Sequence, residues 1–156
     1  MSHGRQTILR PLGAFAVLLG LAAGPAWADE AADKALAEKR VMSMKDVRSS
    51  MATLRRMVRG QAEFAQQDAV DAVQVLLTEL DDMPKTFSGG PSKAPSDSKP
   101  EIWTDWNGFM KILGESKDAA NGLMVSVRST SSGTALKEKY ENLDKACEAC
   151  HAKFRK

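Results

Sequence analysis

The sequence predicts an all-α protein, an antiparallel up-down-up-down four-helix bundle. Four segments carry apolar residues at helical spacing, and no segment shows the alternation that is typical of a strand. The links between these segments are mostly short, which favours antiparallel neighbours. The chain has 156 residues, of which 43% are hydrophobic, and this size indicates one domain with enough apolar side chains for a core.

The helix boundaries follow from the apolar spacing and from glycine and proline. Gly60 is expected to stop the first helix, and Pro84 is expected to end the second. Residues 87–100 are rich in Gly, Pro and Ser, and they are predicted to form a long loop that is either mobile or functional. The predicted helices are 34–59, 67–82, 101–128 and a fourth from Thr134 almost to the C-terminus.

The first 28 residues are predicted to be a cleaved signal peptide. Arg5 and Arg10 precede an apolar run over 12–21, and Ala26-Trp27-Ala28 has the small-x-small pattern of a cleavage site. The run is shorter than the roughly 20 residues that a membrane-spanning helix needs. We therefore expect a periplasmic domain over residues 29–156 without stable membrane insertion.

The charge balance of this domain does not favour a nucleic-acid partner. Removing Arg5 and Arg10 from the 22 basic residues leaves 20, which equals the 20 acidic residues. The domain also lacks the block of basic residues that would indicate a nucleic-acid partner.

The fourth helix ends in Cys147-Glu148-Ala149-Cys150-His151, and Cys-x-x-Cys-His is the sequence at which c-type haem is attached. Residues three apart share a helix face, so Cys147 and Cys150 can hold one porphyrin edge through thioethers. His151 can then serve as the proximal iron ligand. The motif predicts one haem c, and therefore one iron, per chain, bound within the bundle.

Three other uses of a Cys-x-x-Cys pair compete with haem attachment. A disulfide is a real alternative in an oxidising compartment. A thioredoxin-like pair belongs to a βαβ setting, which this sequence lacks. A structural zinc site needs four ligands, but residues 29–156 contain no Cys or His beyond Cys147, Cys150 and His151.

The chain resembles class II cytochromes c, the cytochrome c′ family, over essentially all of residues 31–156. The resemblance rests on the C-terminal position of the motif from Cys147 to Arg155, on the Ile102-Trp103 pair and on the stretch from Arg40 to Lys45. It implies an exported four-helix bundle with covalently bound haem. It also allows a homodimer, because helix-face dimers occur in that family.

The resemblance assigns two residues of the first helix to the distal side of the haem. Met44, four residues after Arg40, stands where the low-spin branch of the family has a methionine that binds the iron. The alternatives are core packing by Met44, ligation by Met51, or an open distal site. Arg40 is expected to bind a haem propionate, as the family arginine does, although it could instead extend to the solvent.

The predicted function is electron transfer through haem iron with His151 and Met44 as axial ligands. The sequence shows no separate catalytic machinery, so we do not expect an enzyme. Periplasmic redox proteins would be the partners. A basic fringe on the surface could steer an acidic partner, and it consists of Lys145, Lys153, Arg155 and Lys156. The alternative function is binding of nitric oxide or carbon monoxide at an open distal site.

Overall fold

The computed structural model describes residues 25–156, and most of the predicted signal peptide, residues 1–24, lies outside this part of the chain. Among the described residues, no helix is both long and apolar enough to cross a membrane. The Thr134–Leu136 segment forms a single turn of 3-10 helix before the last helix. The helices are α1 (Pro25–Val58), α2 (Gln66–Ser88), α3 (Glu101–Thr104), α4 (Trp106–Ser129) and α5 (Lys137–Phe154).

The four long helices form the predicted four-helix bundle. Helix α1 packs on α2, α2 on α4, and α4 on α5, and α5 returns to contact α1. Each helix turns its apolar stripe toward one shared core, which removes these side chains from water. The largest fully buried side chains of this core are Leu54, Leu76, Leu123, Leu136, Leu143, Val73 and Val127.

The first helix ends where the sequence predicts. Helix α1 stops at Val58, and Gly60 has a φ of +66°, in the left-handed region that favours glycine. The amide of Gly60 donates to the carbonyl of Met57 at 3.1 Å. Gly60 therefore closes the helix in the manner typical of a C-terminal glycine.

The prediction that the second helix ends before Pro84 is wrong, because α2 continues through Pro84 to Ser88. Proline removes one hydrogen bond from a helix, but tertiary packing compensates here. The side chains of Thr86 and Phe87 are buried, and the Thr86 hydroxyl donates to the carbonyl of Asp82 at 3.0 Å. The loop consequently starts two residues later than predicted, at Gly89.

The third predicted helix, 101–128, is interrupted at Asp105, which separates the short α3 from α4. Asp105 has a φ of −126° and a ψ of 57°, and its carboxylate accepts a hydrogen bond from the amide of Gly108 at 3.0 Å. This is an N-cap, which satisfies a backbone donor of the first turn of α4. Asp105 therefore starts a new helix, and this N-cap redirects the chain.

Candidate functional site

The last turns of α5 bring the two cysteines of the motif to the edge of the core. Cys147 and Cys150 are both half-buried, both pack against the core cluster, and both thiols are free. Burial raises the pKa of Cys147 to about 11, with Asp144 and Cys150 adding to the shift. Burial likewise raises the pKa of Cys150 above its ordinary value. Both side chains are therefore neutral thiols, placed side by side on one face of the helix.

His151 follows on the same turn and is exposed as a residue. Its pKa nevertheless lies below the ordinary value, chiefly because of partial burial of the imidazole and then because of the Arg155 and Arg48 guanidinium groups. The lowered pKa favours the neutral imidazole, which is the form that binds a metal ion. The influence of Arg48 also shows that this part of α1 lies near the end of α5.

A hydrogen bond between α1 and α5 shows which residues of the two helices lie at the same level. The Arg55 Nε donates to the Tyr140 hydroxyl at 3.1 Å. Met44 lies eleven residues before Arg55, and His151 lies eleven residues after Tyr140. Eleven residues span roughly 16 Å of helix at 1.5 Å per residue. Because the two helices are antiparallel, Met44 and His151 lie at this same distance, in the same direction, from the Arg55–Tyr140 hydrogen bond, and Met44 is therefore level with His151.

The same register separates Met44 from the other methionines of α1. Met44 is half-buried and packs against the core cluster. Met51, the rival ligand, is buried and lies at the level of Asp144 rather than of His151. Met42 is 53% exposed and lies away from the core. Among these residues, Met44 alone combines a core-facing position with the level of the predicted proximal ligand.

Arg40 lies one helical turn before Met44 and is only 3% exposed, so its side chain does not extend to the solvent. Its Nε donates to the carbonyl of Thr86 at 3.1 Å, and its Nη2 donates to that of Gly90 at 2.7 Å. The guanidinium carbon lies 4.9 Å from the ring centre of Phe87 and 5.3 Å from that of Trp103. Burial lowers the pKa of Arg40, although a nearby carboxylate partly opposes the shift.

These residues fit a covalently attached haem. Two thiols share one helix face, an imidazole adjoins them, and Met44 lies at the level of that imidazole. In addition, the Nη1 atom of Arg40 is buried and has no hydrogen-bond partner among the described residues. An unsatisfied buried donor on a cation is costly, and an anionic group such as a propionate would satisfy it. Arg40, Cys147, Cys150, His151 and Met44 therefore stay the predicted haem-binding residues.

Replacing Arg40 with methionine tests this assignment. Methionine keeps an apolar stem between the rings of Phe87 and Trp103 but donates no hydrogen bond. We expect the free energy of unfolding of the haem-loaded protein to fall by about 1.5–3 kcal/mol, the usual range for hydrogen bonds that involve a charged group. Denaturant unfolding followed by circular dichroism measures this change. Arg56→Met, at an exposed position of α1, is the matched control, and equal stability of the two variants would contradict the role of Arg40.

Several contacts near the motif were not foreseen from the sequence. Three of the four residues of the basic fringe bind the segment 96–105: Lys153 pairs with Asp105 at 2.5 Å, Arg155 pairs with Asp97 at 3.4 Å, and the Lys156 Nζ donates to the Ser96 carbonyl at 3.1 Å. The helix-capping preference of aspartate is the signal that could have identified Asp105. Nothing local in the sequence identifies its partner on α5.

Three aromatic side chains, those of Trp103, Trp106 and Tyr140, pack in the core to different extents. Tyr140 is buried, with 4% of its surface exposed. The two tryptophans are half-buried against the same core cluster. The Trp103 indole also donates to the Phe87 carbonyl at 2.7 Å, which holds the ring beside Arg40.

Comparison with known proteins identifies the family of the chain. The family model described as "Cytochrome C'" matches residues 35–155, which is most of the chain. No curated protein matches the chain. The comparisons show the family as a whole and do not distinguish its branches.

Solved structures of the same fold resemble this bundle. Cytochrome c′ from Rubrivivax gelatinosus is 21% identical with a TM-score of 0.69, covering 78% of this chain and 94% of that chain. Cytochrome c′ from Shewanella frigidimarina is 19% identical with a TM-score of 0.71, covering 80% and 96%. A variant of cytochrome c′ from Alcaligenes xylosoxidans, solved as its nitric oxide complex, is 23% identical with a TM-score of 0.70, covering 80% and 96%. With the family model and the Cys-x-x-Cys-His turn, the conclusion is that the chain belongs to the cytochrome c′ family and carries one covalently attached c-type haem.

Proposed function

We propose that this protein is a periplasmic electron carrier whose haem iron is bound by His151 on one side and by Met44 on the other. The observation that carries the proposal is the position of Met44, which faces the core at the level of His151. Haem bound by methionine and histidine has a raised reduction potential. With His151 and Met44 holding the haem, the chemistry that the group would supply is one-electron transfer rather than binding of a further ligand.

The residues around this site support electron transfer rather than acid-base catalysis. His151 is the only histidine of residues 25–156, so no second histidine of this part of the chain stands on the distal side. The residues beside Met44 on its core-facing side are Ser43, which is small and buried, and Val47, which is apolar and half-buried. Neither can transfer a proton at neutral pH in the way that general acid-base catalysis requires.

A second candidate function is the binding of nitric oxide or carbon monoxide at an open distal site, and the comparisons favour it. Several of the solved cytochromes c′ that resemble this chain are nitric oxide complexes, all from Alcaligenes xylosoxidans. In this second candidate, Met44 would cover the distal face without binding the iron. The comparisons and the residue at position 44 thus favour different functions, and the coordination of the iron decides between them.

The partners proposed for this carrier are periplasmic redox proteins. With Lys153, Arg155 and Lys156 bound to the 96–105 segment, the basic fringe still lies on the surface but also stabilises the fold. A homodimer through a helix face remains part of the proposal, since 48% of Val41 and 53% of Met42 are exposed on α1.

The visible absorption spectrum of the exported protein tests both candidates. We expect a low-spin spectrum with a far-red sulfur-to-iron band in the oxidised protein, and no change when carbon monoxide is added to the reduced protein. A high-spin spectrum that shifts with carbon monoxide would overturn electron transfer through Met44 and establish the gas-binding function. Absence of covalently bound haem would overturn both.

A further inference from the structure

The segment 89–100 is the loop between α2 and α3, and its first half is fastened to α1. The carboxylate of Asp33 accepts three hydrogen bonds, from the Ser92 hydroxyl at 2.9 Å, from the Lys93 amide at 2.8 Å and from the Ala94 amide at 3.0 Å. Arg40 adds its bond to the carbonyl of Gly90. Four hydrogen bonds to α1 side chains therefore hold this half of the loop against the helix that carries Met44.

The second half of the loop is fastened to the C-terminal end of α5. The Lys99 amide donates to the carbonyl of Phe154 at 2.9 Å, and the Lys156 amide donates to that of Asp97 at 2.8 Å. Between these two bonds, Ser98 and Arg155 form an antiparallel β-bridge. We call residues 89–100 the strap, because they join α1 to the chain that leaves α5.

Side chains strengthen the same connection next to His151. The Lys99 Nζ donates to the carbonyl of Ala152 at 3.0 Å. Lys153 forms its ion pair with Asp105, the residue that caps α4 directly after the strap and α3. Ala152 and Lys153 are the two residues that follow His151, so both contacts lie within one turn of the imidazole.

These contacts satisfy groups that a helix end otherwise leaves without partners. The last four carbonyls of an α-helix have no intrahelical donor. In α5 the carbonyls of Ala152 and Phe154 accept hydrogen bonds from Lys99 of the strap, so two carbonyls at this helix end have donors from outside the helix.

We propose that the strap and Asp105 are positioning elements for the proximal ligand, and that they hold the turn from Cys150 to Phe154 so that the His151 imidazole keeps its place beneath the haem. This inference rests on the haem-binding role of His151 in the proposed function and is independent of what fills the distal position. Electron donation from the imidazole stabilises ferric iron. Loosening the turn weakens this donation and therefore favours the reduced state of the iron.

The variant Asp105→Asn tests the proposal with little other change. Asparagine remains a good N-cap for Gly108 but no longer pairs with Lys153 as a charge. We expect amide hydrogen exchange over residues 151–155 of the haem-loaded protein to become about threefold faster, as for loss of one surface ion pair. We also expect the ratio of oxidised to reduced haem iron at a fixed applied potential to fall.

The matched control is Asp81→Asn, which removes the same charge from an ion pair between α2 and α4, that of Asp81 with Lys117. This control should leave the exchange of residues 151–155 and the redox ratio unchanged. If both Asp105→Asn and Asp81→Asn behave alike, or if exchange over 151–155 rises while the redox ratio stays the same, the proposal is wrong.

A second variant tests the strap even if Asp105→Asn fails to fold. Two glycines inserted between Ala94 and Pro95 lengthen the strap but leave both of its fastened ends intact. We expect the same two changes as for Asp105→Asn, and two glycines inserted between Ser131 and Ser132, in the α4–α5 turn, should cause neither. If the wild-type protein binds haem but the strap insertion behaves like the control insertion, the positioning role of the strap is wrong and the proposed function stands. If the wild-type protein carries no covalently bound haem, the proposed function itself is wrong.

Discussion

Replacing Met44 with leucine should convert the protein from one that ignores carbon monoxide into one that binds it. Leucine fills a similar volume, so the packing of α1 against the core should change little. It has no thioether, however, and cannot bind iron. We expect a high-spin spectrum in the reduced variant and a large shift of that spectrum on addition of carbon monoxide, measured by titration in visible light.

The control for this experiment is Met51→Leu, two helical turns further along α1. Met51 is buried at the level of Asp144, so its replacement should leave the spectrum low-spin and indifferent to carbon monoxide. If Met51→Leu opened the site instead, the register drawn from the Arg55–Tyr140 hydrogen bond would not describe the ligand set. If neither variant differed from a wild type that already binds carbon monoxide, the gas-binding function would replace electron transfer.

Replacing both Cys147 and Cys150 with alanine should abolish covalent haem and sharply reduce stability. Both thiols pack against the core cluster, so a haem attached to them would add apolar contacts to the same core. Losing a large buried group of this kind costs about 3–5 kcal/mol, by analogy with truncation of large core side chains. Thermal unfolding followed by far-UV circular dichroism, together with a haem stain of the denatured protein, measures both effects.

The single variant Cys147→Ala serves as the comparison for the double variant. It keeps the Cys150 thioether and His151, so it should retain covalent haem and most of the wild-type stability. A double variant that unfolds at the wild-type temperature would show that the bundle does not depend on its haem. That result would leave the fold unchanged and contradict a stabilising role of the cofactor.

The sequence was sufficient for the architecture because the apolar spacing of each long helix is local information. The stripes of α1, α2, α4 and α5 and the glycine at position 60 specify four helices and one of their ends. The Cys-x-x-Cys-His turn is local too, since its chemistry needs residues that are neighbours on one helix face. The fold class and the covalent haem were therefore predictable without any knowledge of tertiary contacts.

The helix boundaries at Pro84 and Asp105 were predicted wrongly because tertiary contacts override local propensity. Pro84 would end an isolated helix, but the burial of Thr86 and Phe87 extends α2 beyond it. Asp105 lies inside an apolar pattern with a helical period, but its side chain caps a new helix and pairs with Lys153 of α5. In both cases the deciding partner is distant in the chain or is defined only by packing.

The surroundings of the haem-binding residues depended on tertiary structure alone. The family resemblance predicted a haem propionate as the partner of Arg40, yet its guanidinium binds the carbonyls of Thr86 and Gly90, which are 46 and 50 residues away. The loop that the sequence left as mobile or functional is fastened at one end by Asp33 and at the other by the α5 terminus.

By itself, the sequence determined the helices and the haem attachment turn, because these depend on spacing within one helix, whereas Met44 and Arg40 were predicted from the family resemblance. Only the tertiary structure decided that Met44 stands level with His151 and that the strap joins the two helices that carry them. The physical reason is that the relative shift of two antiparallel helices is set by side-chain contacts such as Arg55 with Tyr140, 85 residues apart. No pattern within either helix encodes that shift.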